Sequence, residues 1–145
     1  MRTVPLLTQT DLIKKHHLTI RGNLGQHILA DGNVAKKIVD LLDLQEGDLV
    51  LEIGPGLGAL TWRILEIPVH YTAVEKDPRF LEILKQEAQS PDQTLRAKSM
   101  DWIHEDILKF DLENFFRKNN PSPNPLPSGE RDRVRGRFKV ISNLP

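Results

Sequence analysis

The sequence predicts an α/β fold built on a parallel sheet, and three observations carry that prediction. Short apolar runs alternate with segments of helical periodicity; one run, Leu49 to Ile53, breaks directly into Gly54, Gly56 and Gly58; and a second run ends on Glu75, 21 residues beyond Gly54. Strands that alternate with helices pack as a parallel sheet with right-handed crossovers. Ligands of such sheets bind in the crevice at the carboxyl ends of the strands.

In chain order, Thr8 to His17 reads as a short helix, and Arg21 to Leu29, with two glycines and no clean period, as an irregular arm able to lie across a ligand. Asp31 or Asn33 caps a helix whose apolar face is Val34, Ile38, Leu41 and Leu42. Gly47-Asp48 turns the chain into the strand Leu49 to Ile53. After the glycines, Leu57, Leu60 and Ile64 fall at helical spacing, so a helix is expected to pack back on that strand with exposed amides at its start. Val69 to Val74 is a second strand, and Asp77 with Pro78 starts a helix that runs to about Gln89 and buries Leu81, Leu84 and Ala88. A third strand is expected from Met100 to His104, closed by Glu105 and Asp106, then one or two helical turns over Leu112 to Lys118. Asn119 to Gly136 holds four prolines between Pro121 and Pro127 and alternating arginines after them. So few apolar groups cannot offset the entropy of ordering, which predicts a mobile surface loop. Phe138 to Ile141 is a fourth strand, followed by Ser142-Asn143-Leu144-Pro145.

A glycine turn of this kind lets a ligand approach the backbone, and two ligand classes compete for it. Gly54, Gly56 and Ala59 satisfy the dinucleotide pattern G-x-G-x-x-G/A. Glu52 argues the other way, because a carboxylate two residues before Gly54 would repel a pyrophosphate and attract a sulfonium or ammonium. S-adenosylmethionine has both cations and no phosphate. Glu75 stands where a carboxylate can take both ribose hydroxyls, and Glu52, Glu75, Asp106 and Asn143 are all expected at strand ends on one crevice. A glycine turn with no ligand and a nicotinamide-dependent oxidoreductase remain as alternatives.

Composition sets the surroundings of that crevice. The 145 residues, 39% hydrophobic and 28% charged, suit one soluble domain. No apolar run reaches transmembrane length and the start lacks a secretory pattern, so no membrane partner and a cytoplasmic location are expected. The chain has no cysteine, and its five histidines, at 16, 17, 27, 70 and 104, lack paired ligand spacing, so no metal is expected. Net charge is zero, with basic clusters at Lys14, Lys15, Arg21, Lys36, Lys37 and in Arg131 to Lys139. That balance argues against strong nonspecific nucleic-acid binding by this chain alone.

Several stretches resemble one family in order: Gly25-Gln26-His27-Ile28-Leu29 with Asp31, Glu52 through Leu60, Val74-Glu75-Lys76-Asp77, Glu105-Asp106 and Asn143-Leu144-Pro145. The sequence is similar to the ribosomal RNA adenine dimethyltransferases of the KsgA type, themselves related to the Erm resistance methyltransferases. The resemblance implies a Rossmann-like S-adenosylmethionine-dependent methyltransferase fold, here truncated after the fourth strand, acting as a monomer on ribosomal RNA or a small ribosomal subunit precursor. It implies that Gln26, Ile28 and Leu29 line the methionine side of the cofactor and that Gly54, Gly56 and Gly58 form the loop beside it. Glu75 would hold the ribose and Asp106 the adenine amino group, with Glu52 and Lys76 also among the cofactor-binding residues. Asn143, Leu144 and Pro145 would face the target adenine. The chain departs from the family at several places. His27 stands where the family often has Asn or Arg, Ile28 replaces the Phe that follows, 119–136 is longer than the usual link, and the sequence ends before the aromatic residue and helical C-terminal domain of the family. A weakly active or inactive form, or a cofactor- or RNA-binding fragment without catalysis, is therefore also expected.

Overall fold

The computed structural model describes residues 8–19, 31–91, 93–119 and 136–143. Within them the chain runs α1 (Gln9–Lys15), α2 (Gly32–Leu41), β1 (Leu49–Ile53), α3 (Thr61–Leu65), β2 (His70–Glu75), α4 (Pro78–Ala88), β3 (Ser99–His104), α5 (Leu112–Asn119) and β4 (Phe138–Ser142). The four strands form one sheet in the order β3-β2-β1-β4, and each neighbouring pair is parallel. From β1 the chain steps outward to β2 and β3, then returns to place β4 on the other side of β1. The strand order therefore reverses at β1, and the carboxyl ends of β1 and β4 flank a topological switch point.

Local chemistry starts the helices as the sequence implies. Thr8 and Asp11 form a reciprocal capping box on α1; Asp31 caps α2 by accepting from Asn33 and Val34; Asp77 caps α4, with Pro78 in its first turn. The pleat gives each strand two faces, and Val50, Tyr71, Ala73 and Ile141 turn toward one core with Leu12, Ala35, Ile64 and Leu84 from the helices and Leu60 from the turn before α3. A fully buried Leu12 docks α1. Next to it Glu87 of α4, 3% exposed, accepts from Lys15 Nζ at 2.9 Å and His16 Nε2 at 2.7 Å. Burial pushes the Glu87 carboxyl up, and these two donors outweigh it, so it titrates below the ordinary range.

Two helices differ from the sequence reading. In α2 the buried residues are Ala35 and Val39, whereas Val34 is 39% and Leu41 85% exposed. Ile38 and Leu42 of the expected stripe do pack against the core, but the face is centred on Ala35 and Val39, which leaves Val34 and Leu41 outside it. In α4, Phe80, Ile83 and the charged Glu87 join Leu81 and Leu84 in the interior, while Ala88 is half-buried.

Entry into β4 is fixed by a buried acid. Asp48, 1% exposed, accepts from the Gln45 amide at 2.9 Å and the Arg137 amide at 2.8 Å, and the Arg137 guanidinium lies 3.6 Å away. The Leu49 amide then donates to the Arg137 carbonyl at 2.9 Å, which opens the β1–β4 ladder. The chain passes so close here that a Cβ on Gly136 would overlap the Gly47 carbonyl. The sequence-predicted loop over 119–136 otherwise lies outside the described residues, apart from Asn119 at the end of α5 and Gly136 itself.

Gly136→Ala should cost about 1–3 kcal/mol, the usual range for overpacking. Urea unfolding should show a lower midpoint at unchanged slope, while Lys37→Ala on the exposed side of α2 stays within about 0.5 kcal/mol of the parent.

Candidate functional site

The site is assembled at the carboxyl edge of the sheet. Gly54, Gly56 and Gly58 have φ of 65°, 57° and 84°, the left-handed region that other residues adopt at a cost. They keep the chain turning after β1, and two amides tie the turn to β2. The Gly54 amide donates to the Val74 carbonyl at 2.8 Å, and the Gly56 amide to Glu75 Oε2 at 3.0 Å. Glu75, 6% exposed at the end of β2, also accepts from the Asp77 amide through Oε1 at 2.8 Å. One carboxylate thus fastens the glycine loop to the turn that starts α4.

The helix after the loop corrects an expectation. It begins at Thr61 and spans five residues, because the glycines hold the chain in a turn through 58 and the Gly58 carbonyl is the first to accept a helical bond, from Trp62 at 3.4 Å. Leu57 and Leu60 are buried as their spacing suggested, but from the turn. An array of exposed helix-start amides is therefore not what the loop offers, and the Gly56 amide is already taken by Glu75.

Glu52 is a second correction. It is the last residue but one of β1 and is 2% exposed, with Oε2 accepting from Tyr71 Oη at 2.6 Å and Thr61 Oγ1 at 2.8 Å. The pleat turns it under the loop into the core face, so it is not an open crevice acid. Burial pushes its carboxyl up to about 7; the Tyr71 and Thr61 hydroxyls hold it down in part, and the like charge of Glu75 adds to the rise. Tyr71 is pushed well above its ordinary value, first by burial and then by Glu52, and stays a neutral donor.

The remaining strand ends lie alongside. Asp106 follows β3 by two residues; it accepts from the Leu108 amide at 3.0 Å and pairs with the exposed Lys76 ammonium at 3.1 Å, and these contacts hold its carboxyl below the ordinary range. The Lys76 carbonyl accepts from His104 Nε2 at 3.1 Å. Ser142 pairs in register with Ile53, and its hydroxyl donates to the Ile53 carbonyl at 3.0 Å, which sets Asn143 directly beyond the end of β4 beside the glycine loop. Gly54, Gly56, Gly58, Glu75, Lys76, Asp106 and Asn143 are thus gathered on one edge. Gln26, Ile28, Leu29, Leu144 and Pro145 lie outside the described residues.

Sequence reasoning missed Thr61, Tyr71 and His104. Tyr71 and His104 were findable from strand alternation, which puts Tyr71 on the face of Ala73 and Glu75 and pairs His104 with Glu75. Among the described residues no group of three or more His, Asp or Glu could hold a metal ion, and no helix is long and apolar enough to cross a membrane.

The family model for ribosomal RNA adenine dimethylase matches residues 17–145. The chain belongs to that family. It is similar to the ribosomal RNA small subunit methyltransferase A of Malacoplasma penetrans, 38% identical over 92% of this chain and 39% of that protein. The protein of the same name from Chlorobaculum parvum is 43% identical over 91% of this chain and 39% of its own length. The chain therefore spans about two fifths of the length of these curated relatives. Among solved structures, a dimethyladenosine transferase from Plasmodium falciparum superposes with a TM-score of 0.50 at 24% identity, over 58% of this chain and 29% of that one. That likeness is one of fold, and the family's Rossmann-like α/β sheet is what the strand order here displays.

The position of Glu52 has a measurable consequence for stability. A glutamate that ionises near 4.5 in the unfolded chain and about 7 when folded binds more protons in the fold, so stability falls as pH rises through that window. Above pH 7 the whole penalty, about 3 kcal/mol, is present. Glu52→Gln should match the parent near pH 4.5 and exceed it by up to that amount at pH 8, read from urea unfolding at the two pH values.

Proposed function

We propose that this chain forms the S-adenosylmethionine-binding part of an enzyme that methylates adenine N6 in the RNA of the small ribosomal subunit. The observation that carries the reading is the gathering of Glu75, Asp106 and Asn143 around the glycine loop at the β1–β4 switch point, in a chain of the ribosomal RNA adenine dimethylase family. The fit to the cofactor rests on charge. Glu52 and Glu75 are both buried, and neither forms an ion pair with a Lys, Arg or His among the described residues. Glu75 at the strand end, with Glu52 beneath the loop, favours a cation over a pyrophosphate. The amide of Gly56, which a dinucleotide would need, is spent on Glu75.

Bound there, S-adenosylmethionine supplies an electrophilic methyl on its sulfonium. Glu75 keeps acceptor capacity beyond its two amide bonds, enough to take ribose hydroxyls. Asp106, held ionised and half-open beside Lys76, accepts from the adenine amino group of the cofactor. By the family resemblance, Gln26, Ile28 and Leu29 would line its methionine side. On the acceptor side, the Asn143 side-chain oxygen and, by the family resemblance, the Leu144 or Pro145 carbonyl would take the hydrogens of the target N6. That withdraws its lone pair from the ring and makes nitrogen a better nucleophile. No strong base is required, and positioning supplies most of the rate. The target base must be unpaired or extruded, as in an RNA loop.

Titration calorimetry should show S-adenosylmethionine and S-adenosylhomocysteine binding in preference to NAD, and tighter NAD binding would overturn the reading. Asp106→Ala and Glu75→Ala should each weaken the cofactor by about 1.5–3 kcal/mol, the value of a hydrogen bond to a charged group. In a protein of the full length of the relatives, Asn143→Ala should slow labelled methyl transfer to undermodified subunits roughly a hundredfold while leaving cofactor affinity unchanged.

A further inference from the structure

Glu52 is the one carboxyl of the sheet that sits beneath the loop and makes no direct contribution to the crevice, yet its surroundings are specific. On β2, Tyr71 donates to its Oε2; on α3, Thr61 does the same, and the two hydroxyls lie 3.3 Å apart. The charged group that faces it is Glu75, also on β2, and it is a like charge. The other buried acids are served differently: Asp48 has the Arg137 guanidinium, and Glu87 has Lys15 and His16. Among the described residues, Glu52 has hydroxyls as its hydrogen-bond partners and no cation.

Two neutral donors stabilise an ionised carboxylate and can also partner a protonated one, since a hydroxyl both donates and accepts. Such a carboxyl sits near balance between its two forms. A charge arriving nearby in a medium of low dielectric then decides which form wins. The loop above it, two residues on in the chain, is where the cationic cofactor is placed.

We propose that cofactor binding at the glycine loop is linked to proton release from Glu52, with Tyr71 and Thr61 setting the balance point. This rests on the cofactor reading above. Glu52 is a positioning residue in that scheme. It touches neither reacting atom, and acts by placing a negative charge under the loop only when a cation occupies it. With the free carboxyl balanced at about 7, the chain is mostly protonated at pH 6 and mostly ionised at pH 8. Affinity for S-adenosylmethionine should therefore be about tenfold weaker at pH 6 than at pH 8, with nearly one proton released per binding event at the lower pH.

The test is calorimetry of S-adenosylmethionine with the 145-residue chain at pH 6 and pH 8, each in two buffers of different ionisation enthalpy. Proton release at pH 6 that is abolished in Glu52→Gln supports the proposal. Tyr71→Phe removes one donor to the ionised form, so the pH midpoint of affinity should move upward; a purely structural role for Tyr71 would lower affinity equally at both pH values. Binding that is tight but independent of buffer and pH overturns the proton linkage and leaves the cofactor reading intact. Linkage that persists unchanged in both variants also overturns it, since another group then carries the proton. Absence of S-adenosylmethionine binding at either pH overturns the cofactor reading and this proposal with it.

Discussion

The site depends on one interaction, the bridge from the Glu75 carboxylate to the amides of Gly56 and Asp77. A seven-residue turn, 54–60, with three glycines has little to hold it in one shape. Conformational freedom costs glycine more on ordering than any other residue. Glu75 removes that freedom from its fixed place at the end of β2, and the Gly54 amide on the Val74 carbonyl adds a second tether. The same carboxylate holds the turn into α4, so the loop, the strand end and the helix start are fastened by one group. A ligand in the crevice then meets a surface already shaped for it, which lowers the ordering cost of binding.

Electrostatics divides the buried acids by function. Asp48 and Glu87 lie on the far side of the sheet and at the α1–α4 contact, and each is neutralised by cations of the chain itself. They act as fasteners: one sets the entry of β4, the other docks α1. Glu52 and Glu75 sit on the ligand side, and their partners are hydroxyls and amides. Neither is paired with a cation among the described residues, which is the charge argument behind the proposed preference for a sulfonium ligand over a pyrophosphate. The sequence suggested an acid open to the crevice, whereas Glu52 lies beneath the loop with its carboxyl bound by Tyr71 and Thr61.

What the sequence determined by itself is the architecture and the edge on which the site lies. The β1 limits, the caps Asp31 and Asp77, and the alternation of strands with helices follow from local chemistry: apolar runs, capping side chains and glycines act within a few residues and leave a direct signature. The resemblance carried by the glycine loop, Glu75-Lys76-Asp77 and Glu105-Asp106 likewise needs only order along the chain. What only the tertiary structure decided are the relations between distant residues. The docking face of α2, the late start of α3, the pocket of hydroxyls around Glu52 and the close pass of Gly136 over Gly47 depend on which element lies against which. Glu52 shows the reason most plainly. Its position beside the glycines is legible as text, but whether a carboxyl two residues before a turn faces a ligand or the core is set by the pleat and by Tyr71, 19 residues away in sequence and 2.6 Å away in space.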